Sequence, residues 1–213
     1  MVSKIVLTGG PCAGKTSCLR ALRAHFGEAI VAVPEAATLL LDSGFPSPEH
    51  ERIRTLRSDW IHSLQGEILS LQRVIEEHWE RLAIECGARL LVCDRGLLDG
   101  AAYWPEGRQA FLAHFGLSLE QCFARYRAVF HLQSLAASLP HLYGVQDNPV
   151  RYEDATLALQ VEHSARLAWE GHPNLTVIAA ETDLQTKTNR LVEHVEQQLK
   201  NSWDGTSFVP SRE

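Results

Sequence analysis

The chain reads as an α/β domain with a doubly wound parallel sheet, and three observations carry that expectation. Five short apolar runs alternate with stretches of helical periodicity, the order that builds βαβ units. A G-x-x-x-x-G-K-T sequence stands at 9–16, between the first apolar run and the first helix. Three of the runs end on polar residues, where parallel sheets gather their ligands at the C-terminal strand ends. A length of 213 residues fits one domain. It is expected over 1–200, with a disordered tail at 201–213.

Ser3–Thr8 is short and apolar enough to be a buried strand. Gly9, Gly10, Pro11, Cys12, Ala13, Gly14, Lys15 and Thr16 follow, and Ser17 continues into a helix with apolar residues at 18, 19, 22 and 26. Strand, glycine-rich loop and helix is the context of a phosphate-binding P-loop. The glycines let successive N–H groups face an anion, and the helix N-terminus adds partial positive charge. Lys15 is expected to reach the β- and γ-phosphates, and the Thr16 hydroxyl to hold Mg²⁺. Gly27 is a natural cap for the helix end.

Ala29–Val33 is the second strand, stopped by Pro34, and Glu35 stands just past it. A carboxylate there points into the ligand crevice and is a candidate catalytic group; the plainer reading is a helix cap. Ser47-Pro48-Glu49 reads as a helix start, and Trp60, Ile61, Leu64, Ile68, Leu71, Ile75, Trp79 and Leu82 give a long amphipathic stripe ending near Gly87. Arg89–Cys93 is the third strand and delivers Asp94 and Arg95. Asp94 stands where a P-loop protein places a Mg²⁺-holding aspartate, and Arg95 offers a fixed cation to a phosphoryl group. Leu97–Pro105 reads as a loop, whose Tyr103 and Trp104 suit either substrate stacking or core packing.

A helix carrying Phe111 and Phe115 and another over Ser118–Tyr126 lead to a fourth strand, Ala128–Leu132. No period holds from Gln133 to Val150, so about 133–151 is read as a lid, closed by Arg151 at the start of a helix running to Trp169. Leu175–Ala179 is the fifth strand. Thr182-Asp183-Leu184-Gln185 reads as a capping box for a last helix running to about Lys200.

A net charge of −6 argues against nucleic acid as partner. No apolar run approaches the ~20 residues of a transmembrane helix, and no signal-peptide core stands at the N-terminus. The five cysteines show neither C-x-x-C nor zinc spacing, the pattern of reduced thiols in a cytoplasmic protein. Oligomeric state is not legible.

Gly9–Thr16, Pro34-Glu35-Ala36-Ala37-Thr38, Asp94–Trp104, Asn148–Glu153 and Ala168–Pro173 together resemble one group. It is the P-loop AAA-type ATPase/kinase family related to the nicotinamide-riboside kinase domain of the NAD regulator and the insect translocation-defect protein. The resemblance implies a nucleoside-kinase-type fold, Mg²⁺, and ATP or GTP as substrate. It implies phosphate and metal roles for Lys15, Thr16 and Asp94, a clamping role for Arg151, and the base role for Glu35. The expected activity is transfer of a γ-phosphoryl to a nucleoside-like or other small hydroxyl compound. The alternative is a regulatory nucleotide switch with slow hydrolysis and a protein or lipid partner. Arg95, not a glutamate, follows Asp94, so the hydrolytic acid of AAA motors is missing from its usual place. Thr186-Lys187-Thr188-Asn189 approximates a guanine-reading motif but falls within a helix.

Overall fold

The computed structural model describes residues 2–47, 57–134 and 155–200. Within them β1 (Ser3–Thr8), β2 (Ile30–Val33), β3 (Leu90–Asp94), β4 (Ala128–Leu132) and β5 (Leu175–Ile178) form one sheet, in the order β2-β3-β1-β4-β5. Every neighbouring pair is parallel. The helices are α1 (Lys15–Phe26), α2 (Ala36–Asp42), α3 (Arg57–Glu85), α4 (Gly107–His114), α5 (Leu119–Ala124), α6 (Ala155–Trp169) and α7 (Leu184–Lys200). The expected doubly wound α/β fold is present. The expected lid from residue 135 on, Arg151, Pro48-Glu49 of the expected helix start and the 201–213 tail lie outside the described residues.

Strand alternation divides the core into two layers. Ile5, Leu7, Leu90, Val92, Phe130 and Leu132 face α1 and α7, meeting Cys18, Leu22, Leu191 and Val195. Val6, Leu91, Cys93 and Val129 face the other way, onto Leu69 of α3, Phe111 of α4, Cys122 of α5 and Trp169 of α6. β1 therefore runs buried at the centre, and its C-terminal end is covered from both sides. The loop leaving β1 turns to the α1 layer and the loop leaving β3 to the opposite one. A crevice opens between such diverging loops.

Four local expectations change. The 97–105 stretch is not a plain loop: Asp99–Tyr103 winds into a 3-10 turn, because Asp99 accepts the Gly96 N–H at 2.9 Å and anchors its start. The α5 helix stops at Ala124 instead of Tyr126. Tyr126 turns inward, donating its hydroxyl to Glu76 Oε1 at 2.7 Å and accepting the Leu97 N–H at 3.0 Å. The cap of α7 is Asp183, not Thr182, because its two carboxylate oxygens reach the N–H groups of Gln185 and Thr186 at 3.1 and 3.0 Å. Leu82, counted in the α3 stripe, is 37% exposed, whereas Gln65, Gln72 and Glu76 are buried on that helix. Among the described residues no helix is long and apolar enough to cross a membrane.

Trp169 ties the two themes of core and site. Its side chain is fully buried, lies edge-on to Tyr126 at 5.4 Å between centroids, and donates Nε1–H to Asp99 Oδ2 at 3.0 Å. Trp169→Phe removes that donor from a buried carboxylate and leaves a small void. It should destabilise the fold by about 2–4 kcal/mol, read from a urea midpoint shift at unchanged slope. A loss under ~0.5 kcal/mol would mean that the bond contributes nothing net.

Candidate active site

The loop at 9–16 turns tightly because its backbone leaves no room for side chains at one position. A Cβ on Gly9 (φ 143°) would stand 2.3 Å from the Leu132 carbonyl oxygen at the end of β4. Gly14 (φ 79°) starts α1 in the left-handed region, and Cys12 shares that region at φ 57°. The result is a curled loop ending on a helix N-terminus, a ready anion site. Lys15 Nζ donates to the Gly10 carbonyl at 3.2 Å. Burial, then Arg95, pulls the ammonium's pKa below the usual lysine value; Glu35, Asp94 and Asp99 pull it back.

Asp94 ends β3 beside Leu7 of β1. By strand alternation it shares the sheet face of Leu90 and Val92, which is the α1 side, where Thr16 stands exposed in the first turn. Asp94 Oδ1 is buried and has no hydrogen-bond partner. Burial pushes the carboxyl up to about 6, with Glu35 and Asp99 adding to the rise and Lys15 and Arg95 opposing it. An unpartnered buried carboxylate oxygen fits a cation or a cation-bound water. Among the described residues no cluster of three His, Cys, Asp or Glu could hold a metal by itself. Thr16, Asp94 and nucleotide phosphates together match the way Mg²⁺ is held, through few carboxylates and the substrate's own oxygens.

Arg95 does not pair with Asp94. Its Nε donates to Glu35 Oε1, and its Nη1 donates to Gly9 O at 3.1 Å and Asp99 Oδ1 at 3.2 Å. No bond to Nη2 is found among the described residues. The guanidinium lies 5.9 Å from the centroid of the Tyr103 ring. Burial opposes its charge, yet Tyr103, Glu35 and Asp99 hold its pKa above the ordinary arginine value. The Arg95 backbone sits at φ 68°, an unfavourable region for a side-chain-bearing residue. It is held there by Arg95 N–H on Leu7 O at 3.0 Å and by Gln72 Nε2, which donates to Arg95 O at 3.1 Å.

Glu35 occupies the N-cap position of α2, where an acid suits the helix dipole, but its side chain makes no cap bond to the helix N–H groups. Its carboxylate accepts from Arg95 and, at 2.7 Å, from the Thr38 hydroxyl. Burial raises its pKa, but Arg95, Lys15 and the two hydrogen bonds outweigh that and hold it at about 2. Sequence reasoning brought Lys15, Glu35, Asp94 and Arg95 to one place, and the structure does so too. Arg151 lies outside the described residues.

A cavity of about 600 Å³ opens beside this group, reaching from Pro11, Glu35, Arg95 and Asp99 to Leu64, Ile68, Trp104 and Phe111. Tyr103 lines it, and so does Trp104, which is 5% exposed and also packs into the core against Phe111 and Phe115. Two site residues were not singled out from sequence. Asp99 accepts from Thr8 Oγ1 at 2.5 Å as well as from Arg95, Gly96 and Trp169. Gln65 is 5% exposed, lines the cavity, and makes no hydrogen bond to the described residues. A polar residue on the buried stripe of a long helix was the available signal for Gln65.

A family model described as an AAA domain matches residues 4–187. A search of curated proteins found no match.

The Asp94 carboxyl sets a pH dependence. Its folded pKa of about 6 exceeds the ordinary 3.8, so its contribution to stability is present below 3.8 and is lost as pH rises through about 6. A Mg²⁺ ion held by Asp94 would have to displace the proton, so Mg²⁺-dependent nucleotide affinity should then fall as pH drops from about 7.5 to about 5.5. Asp94→Asn should weaken the Mg²⁺ dependence and flatten that pH slope. Calorimetric titrations of both proteins cancel the nucleotide's own titration, and parallel slopes would remove Asp94 from the metal site.

Proposed function

Because this chain belongs to the AAA-domain family, whose loop marks a nucleotide-binding P-loop protein, we propose that it is a Mg²⁺-dependent kinase. It moves the γ-phosphoryl of ATP or GTP to a hydroxyl of a small, nucleoside-like acceptor. The observation that carries this reading is the cavity beside the loop. It has room for a second small molecule, and among the described lining residues the charged ones are Glu35, Arg95 and Asp99 at one end. Water attack in a switch needs no such chamber. Away from that end the described walls are apolar and aromatic, with uncharged polar groups from Ser47, Gln65, Gln72, Gln160 and Ser164, which suits an uncharged planar acceptor. The resemblance to nicotinamide-riboside kinase-type domains supports the same class.

Phosphoryl transfer asks mainly for positioning and charge neutralisation. The loop N–H groups and Lys15 hold the phosphates. Thr16 and Asp94 would hold Mg²⁺, which when bound would further neutralise the phosphate oxygens. Arg95, held by Glu35 and Asp99, offers the transferred group its Nη2, which makes no bond to the described residues. Glu35 accepts a hydrogen bond from the acceptor hydroxyl and aligns its oxygen. With a pKa near 2 it is a weak base. It takes the proton only as the new O–P bond forms, which a loose transition state permits.

A screen of small hydroxyl compounds for ADP or GDP release, against a no-acceptor control, tests the reading. Glu35→Gln should lower acceptor-dependent turnover by ~10²–10⁴-fold with little change in nucleotide affinity. If no acceptor stimulates turnover and the variant hydrolyses like the parent, the switch reading replaces the kinase.

Gln65 gives a separate check on acceptor recognition. Gln65→Leu keeps the volume and removes both hydrogen-bonding groups, so the acceptor KM should rise by ~10-fold or more, with kcat less affected. Equal KM values would place the acceptor away from α3.

A further inference from the structure

We propose that Lys187 is a positioning residue of the phosphate-binding loop, holding the Ala13 carbonyl outward so that the loop's N–H groups stay turned toward phosphate. The inference rests on the loop's nucleotide-binding role and is independent of the kinase reading. α7 packs along α1, with Leu191, Val195 and Leu199 in one apolar layer with Cys18, Leu22 and Phe26. At its first turn Leu184 Cδ1 comes 3.5 Å from the point where a Cβ on Gly14 would stand. That packing brings Lys187, only 4% exposed, against the underside of the loop. Its Nζ donates to Ala13 O at 2.8 Å and also to Gln133 O.

A loop whose N–H groups converge on an anion must turn carbonyls away from it, and a buried carbonyl needs a donor. Ala13 is 1% exposed, so water is a poor substitute. A single ammonium serves both this carbonyl and that of Gln133, which follows β4. It thereby fixes the loop against the neighbouring strand end. The carboxylate of Glu162, 5% exposed, stands on the other side of this junction and accepts the Ser134 N–H at 2.8 Å. A Cβ on Gly10 would meet the Glu162 Cβ at 2.8 Å. Burial lowers the Lys187 pKa, with Cys18 and Glu162 partly restoring it. Lys187 belongs to the stretch that approximates a guanine-reading motif but falls within a helix. That helix start is what places it under the loop.

Lys187→Met keeps the stem and removes all three donors. Calorimetric titration with Mg–ATP and Mg–GTP, well below the melting temperature of each protein, should show affinity reduced by ~10–100-fold. Lys187→Gln, which retains one amide donor group, should fall between Met and wild type. A role confined to tying α7 to the sheet would lower the melting temperature and leave nucleotide affinity unchanged. Unchanged affinity in Lys187→Met therefore overturns the proposal whatever its stability. If the Met variant does not fold, unchanged affinity in Lys187→Gln overturns it instead. A wild-type chain that binds neither nucleotide overturns the loop's role as well, whereas wild-type binding matched by the variants overturns only the part given to Lys187.

Discussion

The Asp99 carboxylate is the group on which the rest of the site depends. It accepts from Thr8 at the end of β1, from the Arg95 guanidinium, from the Gly96 N–H and from the Trp169 indole. These donors belong to β1, to the turn after β3 and to α6. One buried anion thus fixes where the central strand ends, how the chain leaves β3, and how closely α6 approaches. An ionised carboxylate inside a protein is stable only when its lone pairs are filled. Asp99 fills them with groups that must then stand in fixed positions, and the Arg95 side chain is oriented by that requirement.

Glu35 and Asp94, both close to Lys15, show how environment separates residues of one chemical kind. Glu35 is held at about 2 by a guanidinium and a hydroxyl, whereas Asp94 rises to about 6 with one oxygen unpartnered. Two carboxylates pushed apart in this way have different work available to them. Glu35 is an ion already matched to a cation, suited to orienting a neutral hydroxyl. Asp94 makes no ion pair with the described residues, and a divalent ion would give its unpartnered oxygen a cation.

The strands were legible because fully buried parallel strands read as short apolar runs, and their ends came out within a residue of the pattern. The loop was legible because its chemistry is local: glycines for curvature, lysine and threonine for phosphate and metal. Glu35, Asp94 and Arg95 could be placed because each stands at or just past the C-terminal end of a strand. What could not be read was contact between distant segments. Nothing near Lys187 in sequence mentions Ala13, and nothing near Asp99 mentions Thr8 or Trp169. Gln65 and Gln72 do not stand out in sequence, because a helix of 29 residues marks its buried face mainly through its apolar stripe. The Thr182 cap failed for a smaller reason. Two carboxylate oxygens one residue later serve the same N–H groups better.

The Glu76 carboxylate lies fully buried on the α3 side of the sheet, where it accepts from Lys4 of β1, Gln72 of α3, and Arg125 and Tyr126 beyond α5. These partners stand as many as 72 positions from Glu76 in the chain. Peeling α3 from the sheet would strand a bare charge in an apolar layer, and so would fraying β1 or the α5 segment. Partial opening of any one of them is penalised by the same anion. The central strand, the long helix and the segment before β4 therefore form a single cooperative unit, whose most protected amides exchange only when the whole domain unfolds.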